Sequence, residues 1–387
     1  MRLYPILLSI IVITILVSGC CSIFNPASNT TKTYNPVFPT NNSIPNNSST
    51  QDNTSSLPQQ NYTYSPRSDI DLLTQTYVSP IIPSNIELRR QAANSAKNCP
   101  SGSKECQMNA VYRYVVENFS YYADPIDQIV QTPNQTIAVG GGDCEDFTIL
   151  LNSYLENLGI ETYVVLTPTH AYSLGCDVNT SELFPYIQDS MELQAVKDFK
   201  KQGQEAEIRN GKLYVVSAKN LTFSISRDGG YYYYGGDGST LNSPYTSMDI
   251  DYSVSSSAPL DIYVVPTPED AKAVGDGRSY TAYNSCRVYS AYSISESCKR
   301  LTQYGNVVFV NNNNRPAEVS LNVKFYYEYS SSELMKNVSL KYYTLEGKRC
   351  VVLDGTLGKY GYPGDDTNLA GNKTAINTRT KKYYYIQ

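Results

Sequence analysis

Gly140-Gly141-Gly142-Asp143-Cys144-Glu145-Asp146-Phe147-Thr148-Ile149-Leu150-Leu151-Asn152-Ser153-Tyr154-Leu155-Glu156-Asn157-Leu158-Gly159 is a glycine loop that runs directly into an amphipathic segment. Phe147, Leu150, Leu151, Tyr154, Leu155 and Leu158 recur at intervals of three and four and form one apolar helix face. Asp143 is a good N-cap and Gly159 a good terminating residue, so the pattern predicts a helix over 143–158. Cys144 then lies in the first turn. There the helix dipole and the unpaired N–H groups favour a thiolate. The same N–H groups can hold an oxyanion. The spacing 144, 147, 151 sets the sulfur on the apolar side of the helix. The glycines before it allow a tight turn and close approach of a substrate to the backbone.

Downstream, Ile160 to Leu166 reads as a strand, Thr167-Pro168-Thr169 as a turn, and His170 to Leu174 as the start of a second strand. His170 stands 26 residues after Cys144 and is the one histidine in the chain. A helix, a glycine turn, a strand and a short turn return the chain to the same edge, so a Cys–His pair can close in space without closeness in sequence. Upstream, Asn85 to Asn98 and Glu105 to Asn118 read as helices, the second with Met108, Val111, Tyr112 and Val115 on one face.

The run Gly141-Gly142-Asp143-Cys144-Glu145-Asp146, with Leu150-Leu151, Leu158-Gly159-Ile160 and His170-Ala171-Tyr172, resembles the core of the transglutaminase-like superfamily. Tyr121-Tyr122-Ala123-Asp124-Pro125 and Gln131-Thr132-Pro133 are similar to its bacterial and archaeal members. The resemblance implies a papain-like α+β fold and a Cys–His–Asp triad. It also implies activities ranging from protein cross-linking to hydrolysis of peptides, amides and cell-wall peptides. The third residue departs from the family pattern, which places an Asp shortly after the His. Asp177 would point away from the face shared by 170, 172, 174 and 176. Asp237, in Tyr234-Gly235-Gly236-Asp237-Gly238-Ser239, suits the aromatic–Asp–small pattern and requires an insertion. Asp249 and Asp251 stay open as alternatives. The expected site is therefore Cys144, His170 and Asp237.

The length of 387 residues suggests two folded domains with unfolded extras. A net charge of −5 gives no footprint for nucleic acid. The 36 Tyr, with many Ser, Thr and Val, favour strands. Residues 1–20 read as an export segment, with an apolar run from Ile6 to Val17 too short to span a bilayer. Val17-Ser18-Gly19-Cys20 resembles a lipoprotein processing site; an uncleaved signal anchor is the alternative. Residues 21–66, rich in Asn, Ser, Thr and Pro, read as a disordered stalk with glycosylation sequons at Asn29, Asn41, Asn46, Asn47, Asn53 and Asn61. Residues 67–265 are assigned to a transglutaminase-like domain. Residues 266–387, strand-rich from Asn306 onward, are assigned to a small β-sandwich. The segment 183–220 is mixed and includes an insertion.

These features point to an exported, membrane-tethered, surface enzyme acting on a peptide, protein or cell-wall substrate. Hydrolysis is favoured over cross-linking, because a surface enzyme is bathed in water. A non-catalytic binding or adhesion module on the same scaffold is the competing class. One His and no Cys-x-x-Cys pair give no zinc ligand set, so neither metal nor cofactor is expected. Of the nine Cys, Cys20 and Cys21 lie at the membrane and Cys144 must stay free, leaving six for disulfides. Closeness favours Cys99 with Cys106 and Cys286 with Cys298, which leaves Cys176 for Cys350.

Overall fold

The structure is a computed structural model and describes residues 66–124, 129–366 and 372–387. The expected export segment and the stalk up to residue 65 lie outside the described residues. The chain begins with α1 (Pro66–Leu73), a π-helical turn (Thr74–Val78), α2 (Ile86–Ser95) and α3 (Lys104–Asn118). There follow β1 (Ser120–Tyr121), α4 (Pro133–Val139), β2 (Gly141–Gly142), α5 (Cys144–Asn157), β3 (Thr162–Leu166) and β4 (Ala171–Cys176). Next come α6 (Thr180–Lys201), β5 (Glu205–Arg209), β6 (Lys212–Ile225), β7 (Gly230–Gly235), β8 (Tyr245–Val265) and α7 (Pro268–Gly275). The chain continues through β9 (Val288–Leu301), β10 (Asn306–Asn311), β11 (Ala317–Tyr329) and α8 (Ser331–Met335). It ends with β12 (Tyr342–Leu345), β13 (Lys348–Leu353), β14 (Lys373–Asn377) and β15 (Tyr383–Ile386).

The described residues fall into two compact units: one from those up to 179 together with those in 340–387, the other from 180–339. The first holds a six-stranded antiparallel sheet in the order β12-β13-β4-β3-β14-β15. Side chains alternate across it with the period of two that a strand imposes. Val164, Leu166, Ala171 and Ile376 meet Cys144 and Ile149 of α5 on one face. Tyr163, Val165, Tyr172, Leu174 and Val352 form the apolar cluster on the other. Glu346, in the β12–β13 turn, accepts from Lys382 Nζ at 2.9 Å and from Tyr384 OH at 2.7 Å, in β15 and its approach, which links the turn at one end of the strand order to the strand at the other.

Helix α5 is buried along its whole length, and several of its polar residues are engaged in hydrogen bonds. Glu156 accepts from the Thr162 N–H at 2.8 Å and from the hydroxyls of Thr162 at 2.9 Å and Thr378 at 2.6 Å. Asn157 and Ser153 bind the backbone of Ile82 and Asn85, fastening the chain before α2 to the helix. Its buried leucines, Leu150, Leu151 and Leu155, each contribute about 1.5–3 kcal/mol by leaving water.

The second unit is a seven-stranded sheet in the order β5-β6-β11-β8-β10-β7, with β9 paired to β8. It encloses a core that includes Ile250, Val254, Phe309, Leu321 and Val323.

The α+β class, with a strand-rich C-terminal region, is as the sequence predicts. The partition of the chain differs from the expected boundary at 265/266. Strands β12 to β15 do not form a separate β-sandwich. They complete the sheet begun by β3 and β4, through the pairs β13–β4 and β14–β3. Alternation identifies a strand but carries no information about its partner, so the return of the chain was hidden. Within the segment 183–220, expected to be mixed, residues up to 201 belong to one helix of 22 residues, Thr180–Lys201.

The three disulfides pair as expected: Cys99–Cys106, Cys176–Cys350 and Cys286–Cys298. Cys144 is the free cysteine among the described residues. Cys176 and Cys350 are direct cross-strand partners in β4 and β13. Their bridge closes a loop with a sequence separation of 174. In the chain-entropy treatment, losing so long a cross-link costs about 3–5 kcal/mol. The double variant Cys176→Ala/Cys350→Ala is expected to show that loss as a lower urea midpoint, and a change under about 1 kcal/mol would contradict it.

Candidate active site

Cys144 is the first residue of α5, with Asp143 as its N-cap in β-region geometry. The Asp143 N–H donates to Oδ2 of Asp146 at 3.4 Å. Asp146 also accepts from the backbone N–H of Gln131 at 2.7 Å and from its side-chain amide at 2.6 Å, which fixes the loop before α4 against the start of α5. Gly141 and Gly142 are required here. A Cβ on Gly141 would collide with the Ser120 carbonyl, and one on Gly142 with the Asp146 side chain.

Cys144 is 9% exposed and lies among Ile149, Val164, Leu166, Ala171 and Ile376. Its Sγ donates to Oε2 of Glu145 at 3.2 Å. Burial first, and then the Glu145 carboxylate, push the Cys144 thiol well up, while the backbone N–H of Ala171 acts the other way. In this arrangement the group rests as a neutral thiol. The helix-dipole expectation of a free-standing thiolate is outweighed by desolvation and a neighbouring negative charge. Burial, then Glu145, push Asp143 up to about 9 as well.

His170 sits immediately before β4. The turn is closed by the Thr167 N–H donating to the His170 carbonyl at 2.8 Å. One residue on, Ala171 directs its backbone N–H at Cys144, which brings the start of β4 to the sulfur. The His170 ring donates from Nε2 to Oδ2 of Asp354 at 2.8 Å, with side chains only 4% and 2% exposed. Asp354 follows the last residue of β13. Leu353 pairs with Ser173, so the register carries Asp354 to the level of Tyr172 and the imidazole. Its second oxygen, Oδ1, accepts from the N–H of Thr356 at 3.0 Å and from its hydroxyl at 2.7 Å. The carboxylate is therefore held in one orientation. A second carboxyl, Asp365, is raised to about 6 by burial and by the charge of Asp354.

Asp237, expected as the third residue, is not the partner of His170. It is exposed in the 180–339 unit, where Oδ1 accepts from the Ser239 N–H at 2.9 Å and hydroxyl at 2.6 Å. That Asx turn is the physical reason for the aromatic–Gly–Gly–Asp pattern. The alternatives are engaged elsewhere too: Asp249 accepts from the Arg300 N–H at 2.8 Å, and Asp251 pairs with Arg209 at 3.0 Å. The pairing of His170 with Asp354 was not foreseen because residues 180–339 separate the strand after His170 from its neighbour. A signal was present nonetheless. An antiparallel pairing of Cys176 with Cys350 carries residue 354 to residue 172, beside the histidine.

Among the described residues, Asp143, Cys144 and Glu145 offer three ligand atoms within 4.8 Å of one another. Oδ1 of Asp143 is buried without a hydrogen-bond partner. Chemically, the assembly places a thiol at a helix N-terminus beside the strand that carries an imidazole, and a fixed carboxylate behind that imidazole.

Residues 90–201 match the sequence model of the transglutaminase-like superfamily. Cys144 and His170 lie inside that segment and Asp354 outside it. No curated protein matches the chain. Solved structures overlap it in part. Calcium-bound LapG of Legionella pneumophila is 26% identical over 28% of this chain and 64% of its own, with a TM-score of 0.19. A Bacillus endospore appendage protein, from disulfide-linked pili, is 11% identical over 32% of this chain and 96% of its own, with a TM-score of 0.19. PirA is 13% identical over 28% and 93%, with a TM-score of 0.15. The chain thus spans 64% of LapG's length, and these overall superpositions carry no weight on their own. From the match over 90–201 and the sheet that follows it, this chain contains a transglutaminase-like core with a sheet-rich C-terminal region.

Proposed function

We propose that this protein is a cysteine-dependent acyl-transfer enzyme that hydrolyses peptide or amide bonds, with Cys144 as nucleophile, His170 as general base and acid, and Asp354 as the group that orients His170. The observation that carries this reading is the buried 2.8 Å hydrogen bond from His170 to Asp354, beside a free thiol at a helix N-terminus. Nε2 is committed to Asp354, so Nδ1 is the nitrogen left to exchange protons with the sulfur and the substrate. Because the thiol rests neutral, proton transfer to His170 accompanies attack rather than preceding it. The sulfur bonds to the carbonyl carbon, and the oxyanion meets the N–H groups of the first turn of α5. His170 returns the proton to the leaving nitrogen as the C–N bond breaks. Water, deprotonated by the same imidazole, then attacks the thioester, releasing a carboxylate and restoring the thiol. An amine in place of water would give a cross-link.

Asp143 and Glu145 are oxygen donors of the kind a hard divalent cation takes, and the unpaired Asp143 Oδ1 fits such a ligand. A cation there would offset the negative charge that opposes the thiolate.

Export to an oxidising compartment is supported by the three disulfides. Tethering at the surface, through an N-terminal lipid or a signal anchor, is supported by the sequence of residues 1–20. The second reading, a binding module with no catalysis, draws on the raised thiol pKa.

Two sets of variants separate these readings. Asp354→Asn is expected to lower turnover by about 10²–10⁴, as loss of an orienting carboxylate does, whereas Asp237→Asn leaves turnover unchanged. The reverse ranking would move the orienting role back to Asp237. Glu145→Gln removes a negative charge from beside the sulfur, so it favours the thiolate and lowers the thiol pKa. The pH midpoint for iodoacetamide labelling of Cys144 should therefore move down in this variant. An upward or absent shift contradicts the assignment of Glu145 as the charge that holds the thiol neutral.

A further inference from the structure

Cys144 has a free thiol but little exposure, and part of the cover over the apolar cluster it belongs to comes from outside α5, β3 and β4. Leu73, the last residue of α1, and Tyr77, in the π-helical turn, pack against the cluster of Cys144, Ile149, Val164, Leu166, Ala171 and Ile376. They are four residues apart, so they fall on one side of the helical segment. Val78 is fully buried in the same cluster. The opposite side of the segment is turned to water, with Asp71, Leu72 and Gln75 exposed. The Tyr77 hydroxyl is raised by burial and then by the charge of Glu145, which sets it close to the acidic surroundings of the sulfur.

The way this segment is attached differs along its length. At its C-terminal side it is fixed: the Ile82 N–H donates to Ser153 at 3.1 Å, and the Asn85 N–H to Asn157 at 2.8 Å. Before that point, Ser79 bonds back to Thr74 within the segment, from its N–H at 2.9 Å and its hydroxyl at 3.3 Å. Leu73, Tyr77 and Val78 hold the core by apolar contact. A segment attached in this way can lift about its fixed end without stranding a buried donor, which is the costly step in opening most packed elements. Single π-helical turns also mark places where a helix departs from its most stable winding, and they are frequent at functional sites.

We propose that residues 69–78 form an autoinhibitory strap hinged at Ile82–Asn85, with Leu73 and Tyr77 as the latch that closes over Cys144. An acyl substrate reaches the sulfur only when the strap lifts. The strap concerns access to the thiol; its meaning for turnover rests on Cys144 being the nucleophile.

The test uses the full chain with its disulfides intact. Iodoacetamide labelling of the Cys144 peptide is timed in wild type, Leu73→Ala, Tyr77→Ala and Tyr77→Phe, and native-state hydrogen exchange is followed in wild type. The alanine variants are expected to label about tenfold faster or more, with Tyr77→Phe close to wild type, since the ring rather than the hydroxyl provides the cover. Amides of 69–78 should exchange well before those of α5. Unchanged labelling in both alanine variants, or exchange of 69–78 together with α5, would overturn the strap. The hydrogen-exchange arm needs no variant, so it decides the matter if an alanine variant misfolds. Faster labelling with no turnover on any peptide would leave the strap standing and remove the enzymatic reading.

Discussion

The hydrogen bond between His170 and Asp354 sets the terms for the rest of the first unit. Both side chains are almost wholly buried. A carboxylate taken out of water without a partner costs several kcal/mol, and removing one member of such a pair is strongly destabilising. The two strands that they flank, β4 and β13, must therefore lie side by side in one register. That requirement explains why β13 pairs with β4, why Thr356 holds the free carboxylate oxygen, and why a disulfide joins the same two strands at Cys176 and Cys350. The sheet that results gives α5 an apolar surface along its length, and α5 in turn delivers Cys144 to the beginning of β4.

The site is thus assembled across a long interruption in the chain. His170 and Asp354 are 184 residues apart in sequence, and the unit 180–339 lies between them. Bringing such distant strands together carries a loop-closure cost that local helix formation does not. The Cys176–Cys350 bridge reduces that cost by limiting the unfolded chain. The inserted unit has its own sheet and its own core, so the site residues come from the first unit alone.

This arrangement accounts for what the sequence made legible. The places of Cys144 at the head of α5 and of His170 just before β4 were readable because each signal is local: a capped amphipathic helix for one, and a lone histidine after a strand and turn for the other. The α5 boundaries, 144–157 against an expected 143–158, follow from the same local chemistry. The carboxylate that meets His170 was not readable in the same way, because a strand pattern such as Cys350-Val351-Val352-Leu353-Asp354 does not name its neighbour. Asp237 attracted attention through a turn motif that the Ser239 hydrogen bonds fully explain. The raised thiol was also illegible, since desolvation and the direction of the Glu145 side chain are tertiary facts. The cysteine pairing, by contrast, already contained the register that leads to Asp354.

Because the chain has one histidine, its ring can be watched without assignment. Nitrogen-15 magnetic resonance of protein labelled at histidine reports which ring nitrogen carries the proton and how fast that proton exchanges with water. A buried Nε2–H donating to Asp354 predicts a single neutral Nε2–H tautomer with a slowly exchanging proton, and the loss of that protection in Asp354→Asn. A ring averaging between tautomers, or one protonated at Nδ1 when neutral, would contradict the His170–Asp354 pair and with it the proposed catalytic geometry.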